Sequence, residues 1–114
     1  MASRSALKRA KPNATEMTLQ DMLNHAGEAA DFLKALANDQ RLVILCCLLD
    51  HPKSVSDINE YVQLSQSALS QHLAVLREKN LVTTEKRAQT VYYSVPAGNT
   101  RKILSLLHDC FCHT

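Results

Sequence analysis

Two sets of residues in this chain have types and spacings that could do chemistry. The first lies in the run Leu64-Ser65-Gln66-Ser67-Ala68-Leu69-Ser70-Gln71-His72-Leu73-Ala74-Val75-Leu76-Arg77-Glu78-Lys79. At about 100° per residue, Leu69, Leu73 and Leu76 share one narrow stripe, as a helix with one face in a core requires. Ser67, Ser70, Gln71, Ala74 and Glu78 fall on the opposite side, with Gln66 at the leading end. Surface helices usually cover such a face with Lys and Glu. Short neutral donor–acceptor side chains can instead bond phosphates and base edges, and they let the backbone approach a major groove. The bland alternative is a polar face wetted by solvent. The second set is four cysteines, Cys46, Cys47, Cys110 and Cys112. Their chemistry runs from inert burial through metal ligation to reversible oxidation.

The chain that must position these groups has 114 residues. That length predicts one domain, small enough that a dimer interface would help it bury an adequate core. Aromatics are sparse, which favours a helical core of Leu, Ala, Ile and Val. The net charge of +2 says little, but its distribution says more. Residues 1–15 hold Arg4, Lys8, Arg9 and Lys11 with no acid, and are expected to form a basic flexible arm. Residues 16–114 are expected to form the folded domain. From 77 to 102, Arg77, Lys79, Lys86, Arg87, Arg101 and Lys102 outweigh Glu78 and Glu85. Positive charge therefore gathers at the arm and around the polar helix, a footprint for a polyanion. The longest apolar run, Leu42 to Leu49, is far too short to span a membrane. No secretory signal is expected, so the expectation is a cytoplasmic protein without a membrane partner, whose cysteines are thiols rather than a disulfide framework.

Taken in order, Thr18 and Asp21 resemble a capping box ahead of a long helix through Leu19, Met22, Leu23, Ala26, Ala30, Leu33 and Leu36. That helix keeps enough small apolar residues outside to serve as a dimer surface. Asn38 can cap a second helix over 39–50, with Leu42, Leu45, Cys46 and Leu49 on its stripe. Ser54 with Asp57 opens a short third helix, and Ser65 caps the polar one after a brief turn at Gln63 and Leu64. Two short helices across a tight turn, the second with a polar face, make a helix-turn-helix. Val82-Thr83-Thr84 and Thr90-Val91-Tyr92-Tyr93-Ser94-Val95 read as strands. The polar stretch 85–89 between them lacks Gly and is expected to be a longer hairpin loop. A last helix carries Ile103, Leu104, Leu106, Leu107, Cys110 and Phe111. The expected fold is mainly α with a β-hairpin wing, a winged helix-turn-helix.

Three stretches make the chain resemble a known family. They are Leu36-Ala37-Asn38-Asp39-Gln40-Arg41-Leu42-Val43-Ile44-Leu45, Leu64-Ser65-Gln66-Ser67-Ala68-Leu69-Ser70-Gln71-His72-Leu73, and Leu81-Val82 followed by Gln89-Thr90-Val91-Tyr92-Tyr93. They resemble the ArsR/SmtB family of bacterial winged-helix repressors over about residues 18–112. The resemblance implies a homodimer paired through its first and last helices and bound to an inverted-repeat operator in double-stranded DNA. DNA-reading positions carried over residue by residue are Gln66, Ser67, Ser70 and Gln71 on the helix, with Lys86, Arg87, Gln89 and Thr90 on the wing. His72 lies beside the apolar stripe and is either a DNA contact or a core-edge histidine bonded internally. Lys86 and Arg87 otherwise serve as a soluble loop tip.

Many members of this family respond to metals, through a Cys-x-Cys in the helix before the recognition helix or an Asp-x-His with a later His and acid on the last helix. Neither pattern is present: the earlier helix reads Ser54-Val55-Ser56-Asp57-Ile58-Asn59-Glu60-Tyr61, without a thiol. Ile44-Leu45-Cys46 and Leu107-His108 with Phe111-Cys112 instead resemble the family's HlyU/BigR/SqrR branch. That likeness implies an intrasubunit dithiol of Cys46 and Cys112, bridged by reactive sulfur species or oxidant, with operator affinity falling as a result. No metal or other cofactor is expected. Cys47 and Cys110 are additions to the pattern and secondary candidates. Periodicity points a different way on the last helix, placing Cys110 with Ile103, Leu106 and Leu107 and leaving Cys112 opposite unless the helix frays. The alternatives are soft-metal binding by the four thiols with His108 and His113, and a ligand-independent DNA-binding anti-silencer. A thiol oxidoreductase is disfavoured by the lack of Cys-x-x-Cys and of a glycine-rich phosphate loop, Gly27 and Gly98 being the only glycines.

Overall fold

A computed structural model of the chain describes residues 18–112, so the basic arm expected over 1–15 and His113 lie outside the described residues. The elements are α1 (Leu19–Leu36), α2 (Asp39–Cys47), β1 (Lys53–Ser54), α3 (Val55–Tyr61), α4 (Gln66–Glu78), β2 (Thr83–Arg87), β3 (Thr90–Ser94) and α5 (Asn99–Phe111). Two compact units divide between Asp31 and Phe32, within α1. In the first, Leu19, Met22 and Leu23 are exposed. Thr18 starts this helix by accepting from the Asp21 N–H at 3.1 Å, while its own hydroxyl donates to Asp21 Oδ2 at 2.6 Å.

The second unit holds the core. The expected caps form where the short polar residues stand. Asn38 accepts from the Arg41 N–H at 3.0 Å to open α2. Ser54 and Asp57 form a reciprocal capping box at α3. Ser65 accepts from the Ala68 N–H at 3.1 Å at the head of α4. Each such cap is worth about 1 kcal/mol. Leu69, Leu73 and Leu76 of α4 are buried with Ile44, Leu45 and Leu48 of the α2 region, Ile58 of α3, Leu81, Val82 and Val95 around the hairpin, and Leu104 of α5. Full burial of each large aliphatic contributes about 1.5–3 kcal/mol. The helix α2 stops at Cys47 rather than near Asp50, and its buried side is Ile44 and Leu45, whereas Leu42, Cys46 and Leu49 are only partly covered. Val43, off that stripe, is 48% exposed.

The way α4 ends aims the wing. Asn80 has φ +60°, and the Asn80 and Leu81 N–H groups donate to the Arg77 and Leu76 carbonyls at 3.1 and 2.9 Å. This is a Schellman stop with Asn in the left-handed position, and its apolar partners Leu76 and Leu81 are both buried. The chain then enters a three-stranded antiparallel sheet of order β1-β3-β2. The first strand, two residues long, was not legible as a strand; Lys53 and Ser54 pair with Tyr93 and Tyr92.

The hairpin differs from the expected long loop. Glu85, Lys86 and Arg87 belong to β2, Arg87 pairs with Thr90, and only Ala88 and Gln89 turn the chain. Ala88 takes φ +55°, a conformation that two-residue hairpins ordinarily give to Gly, Asn or Asp. Cross-strand pairing outweighs the missing turn residue.

Three bases close helix ends inside this unit. Arg41 Nε donates to the Ala35 carbonyl at 2.7 Å, at the end of α1. No base occupies the last turn of α2, so its carbonyls are met from elsewhere. Lys53, only 2% exposed, donates to the Cys47 carbonyl at 2.6 Å and to Asp50 Oδ1 at 2.5 Å. The guanidinium of Arg101 donates to the Leu49 carbonyl at 2.5 Å and to the Val95 carbonyl at 3.0 Å. A buried cation is tolerable only when its donors are satisfied in this way. Arg101, grouped by sequence with the bases around the polar helix, is thus a structural clamp. Lys53 in turn holds the exposed Asp50 carboxyl below the usual carboxylate range.

The strain at Ala88 is testable. Left-handed backbone costs a non-glycine residue about 1–2 kcal/mol, and glycine forfeits about 0.4–1 kcal/mol through its freer unfolded chain. Ala88→Gly is therefore expected to raise unfolding free energy by about 0.5 kcal/mol, measured by urea denaturation at fixed protein concentration. A loss of stability would show that the turn is unstrained.

Candidate nucleic-acid interface and thiol site

Capping by Ser65 puts Gln66, Ser67, Ser70 and Gln71 on the exposed side of α4, opposite the buried leucines. None of the four side chains has a hydrogen-bond partner among the described residues, so their donors and acceptors are free. His72 is half-buried at the edge of the core stripe, again without a partner among the described residues. The internal bond expected of a core histidine is thus not formed. The Asn59 side chain braces the turn before α4 by donating to the Val62 and Leu64 carbonyls at 2.9 and 3.0 Å.

On the wing, Lys86, Arg87, Gln89 and Thr90 are all exposed. They are not equivalent. Successive residues of a strand face opposite ways, so Glu85 and Arg87 share one side of the hairpin with Tyr92, and Lys86 takes the other with Val91 and Tyr93. Arg87 Nη2 donates to Glu85 Oε2 at 3.2 Å, and Arg87 Cζ lies 5.1 Å from the Tyr92 ring centroid. Their hydrogen bond holds the Glu85 carboxyl below, and the Arg87 guanidinium above, its ordinary value. Lys86 has no such partner among the described residues. The uncommitted positive charge of the wing is therefore Lys86.

The thiols are all unbridged: Cys46 and Cys47 are half-buried, and Cys110 and Cys112 exposed. Exposure of Cys110 corrects the expectation that periodicity would bury it. Only Leu104 of α5 is fully covered, and the edge bearing Leu106 and Phe111 stays open at 62% and 81% exposure. Helical phase does not bind Cys112, because α5 ends at Phe111 and Cys112 is its C-cap, with φ −115° and ψ 9°. Burial pushes the Cys46 thiol up, and the nearby Cys112 adds to that through charge repulsion. Burial likewise pushes Cys47 up, partly offset by Lys53. The helices that carry the first and last thiols pack against each other. Among the described residues, no group of three or more His, Cys, Asp or Glu side chains could hold a metal ion. None of the described helices is long and apolar enough to cross a membrane.

The comparisons with known proteins agree with this geometry. The family described as "Bacterial regulatory protein, arsR family" matches residues 38–84, which run from the cap of α2 into β2. The transcriptional activator HlyU of Vibrio cholerae is 48% identical over 96 residues, covering 84% of this chain and 89% of its own length. This chain belongs to the arsR family. A second relative of this arsR-family chain, the biofilm growth-associated repressor of Xylella fastidiosa, is 32% identical over 84% of each chain. The structure of reduced HlyU from Vibrio cholerae superposes with a TM-score of 0.78 at 47% identity, covering 83% of this chain and 100% of that one. These relatives are DNA-binding transcriptional regulators and not enzymes. The fold is the winged helix-turn-helix, with α3 and α4 as the helix pair and β2–β3 as the wing.

Burial and charge at Cys46 have a kinetic consequence. A raised thiol pKa leaves less thiolate at neutral pH, and the thiolate is the nucleophile. Alkylation of the reduced protein by iodoacetamide is therefore expected to mark Cys112 several-fold faster than Cys46 at pH 7. The Cys46 rate should keep climbing at pH values above the ordinary thiol range. Peptide mass spectrometry over a time course reads both, and equal rates at neutral pH would contradict the assignment.

Proposed function

We propose that this arsR-family regulator acts as a homodimeric repressor whose hold on an inverted-repeat operator is loosened when Cys46 and Cys112 are bridged. Gln66, Ser67, Ser70 and Gln71 enter the major groove, and Lys86, Arg87, Gln89 and Thr90 of the wing meet the flanking backbone. The observation that carries the sensing half is the placement of two thiols far apart in sequence: Cys46 stands on α2, Cys112 caps the end of α5, those helices pack together, and Cys112 comes near enough to add to the upward push that burial gives the Cys46 thiol. The relative solved as reduced HlyU supports a role for thiol state. One relative named an activator and another named a repressor fit a protein that activates by derepression.

Apolar side chains left open on both outer helices support the dimer. Leu19, Met22, Leu23 and Leu33 are exposed on α1, and Leu106 and Phe111 on α5. A second copy that covers them would remove that surface from water, and self-association stabilises so small a chain.

The chemistry of the switch balances with a persulfide donor. One cysteine thiolate takes the outer sulfur of the donor and releases the donor's thiol, which leaves a protein persulfide. The second thiolate attacks the protein-bound sulfur of that persulfide and expels hydrosulfide, so the dithiol is oxidised to a disulfide and the donor sulfur is reduced to sulfide. With a peroxide, a sulfenic acid forms first, and water is the group expelled by the second thiol. Closing a bridge demands Cα atoms within roughly 7 Å. The bond then pins α5 to α2, and a small rotation of α5 changes the separation of two recognition helices that must span half-sites about one DNA turn apart.

Gel shifts on a fragment from upstream of the chain's own gene test this. Reduced protein should bind, and protein treated with glutathione persulfide should bind at least tenfold more weakly, with mass spectrometry showing the 46–112 bridge. Cys46→Ser and Cys112→Ser should bind as reduced protein does and ignore the treatment. Gln71→Ala should narrow the preference for that fragment over a scrambled duplex. Affinity indifferent to persulfide, peroxide and metal alike would instead indicate a ligand-independent anti-silencer.

A further inference from the structure

A shallow groove lies between the second half of α4 and the wing, lined by Ser70, Leu73, Ala74, Arg77, Glu78 and Tyr93. It is the described concavity that joins the two DNA-reading elements. At its edge Ser70 belongs to the free polar face of α4. Arg77, about two helical turns further on, is exposed and has neither a hydrogen-bond nor a salt-bridge partner among the described residues. Glu78 also lines the groove, yet no salt bridge joins it to Arg77. Across the groove Tyr93 is half-buried on β3, on the sheet side that also carries Lys86. Arg87 is on the other side, held by Glu85.

We infer that this groove seats the sugar-phosphate strand of the operator, with Arg77 as a phosphate ligand that neither the sequence reading nor the wing assignment includes. The inference rests on the reading that α4 enters the major groove. Every major groove is bounded by a phosphate backbone that separates it from the adjacent minor groove. With α4 on one side of that backbone and the wing on the other, the backbone must cross the gap between them, and the gap is this groove. Arg77 meets it from the helix, Lys86 from the hairpin, and the Ser70 and Tyr93 hydroxyls stand at the edges as donors. Arginine suits the task because its planar fork matches phosphate oxygens two at a time. The competing explanation is that Arg77, the base in the last turn of α4, merely complements the helix dipole.

Fluorescence anisotropy of the reduced full chain separates these, on a labelled duplex from upstream of its gene and on a scrambled duplex. Arg77→Gln is expected to weaken both duplexes several-fold and by the same factor. It should also flatten the dependence of log affinity on log salt by about 1.8, one phosphate for each protomer of the dimer at about 0.9 apiece. Arg77→Lys should keep the salt slope near that of the parent, and Arg87→Gln should flatten it less than Arg77→Gln does. An unchanged slope in Arg77→Gln, with or without a lowered melting temperature, overturns the inference and leaves the dipole role. A loss confined to the cognate duplex overturns it too. If the parent shows no salt-sensitive affinity for either duplex, the DNA-binding reading itself fails. A parent that binds, with Gln71→Ala losing discrimination while Arg77→Gln changes nothing, rejects only the groove.

Discussion

The closed end of α2 is the constraint on which the other parts depend. A helix ends with carbonyls that have no partner within it, and α2 supplies no base of its own to meet them. Lys53 does so at the Cys47 carbonyl, and Arg101 holds the Leu49 carbonyl two residues past the helix, each from another element. Each cation is also committed elsewhere. Lys53 sits in the strand that pairs with β3 of the wing, and Arg101 starts from α5 and also holds Val95 at the end of β3. The helix that bears Cys46, the helix that precedes Cys112, and the hairpin of the wing therefore meet at one small polar joint. A shift of α5 against α2 cannot leave those bonds unchanged.

This joint also sorts the positive charge. By composition alone, the bases from 77 to 102 form one patch suited to a polyanion. In the fold Arg101 turns inward to carbonyls, and Arg87 is matched by Glu85 and the Tyr92 ring. Arg77, Lys79, Lys86 and Lys102 remain exposed and without a salt-bridge partner among the described residues, and of these Arg77 lines the groove between α4 and the hairpin. Fewer charges are free than the sequence suggests. Ordered positive charge of this kind steers and registers a duplex, while the Ser and Gln side chains at the head of α4 remain available for base edges.

The thiols follow a similar logic. Cys46 is half-buried on the partly covered side of α2, and that burial pushes its thiol up from the ordinary value. Cys112 lies past the last helical residue, where an exposed backbone end can bring it toward Cys46 without obeying the 3.6-residue period. In the proposed bridge, the accessible thiol would meet the reagent and the protected one would resolve it.

Much of this was legible from local chemistry. Asn38, Ser54 and Ser65 cap helices because their short side chains reach the first-turn N–H groups, and that competence is a property of the residue and its neighbours. The Leu69, Leu73 and Leu76 stripe, the polar face against it, and the β-branched strands of the wing likewise follow from periodicity. The sequence by itself thus determined a helix-turn-helix, a wing, and the face of α4 that is free for DNA. Only the tertiary structure decided that Lys53 is buried in a two-residue strand, that Ala88 turns a tight hairpin, that Cys110 stays exposed, and that Arg77 lines a groove beside the hairpin while Arg87 is held by Glu85. Those outcomes depend on which distant carbonyl, strand or carboxylate comes within a few ångströms, and no local period carries that information.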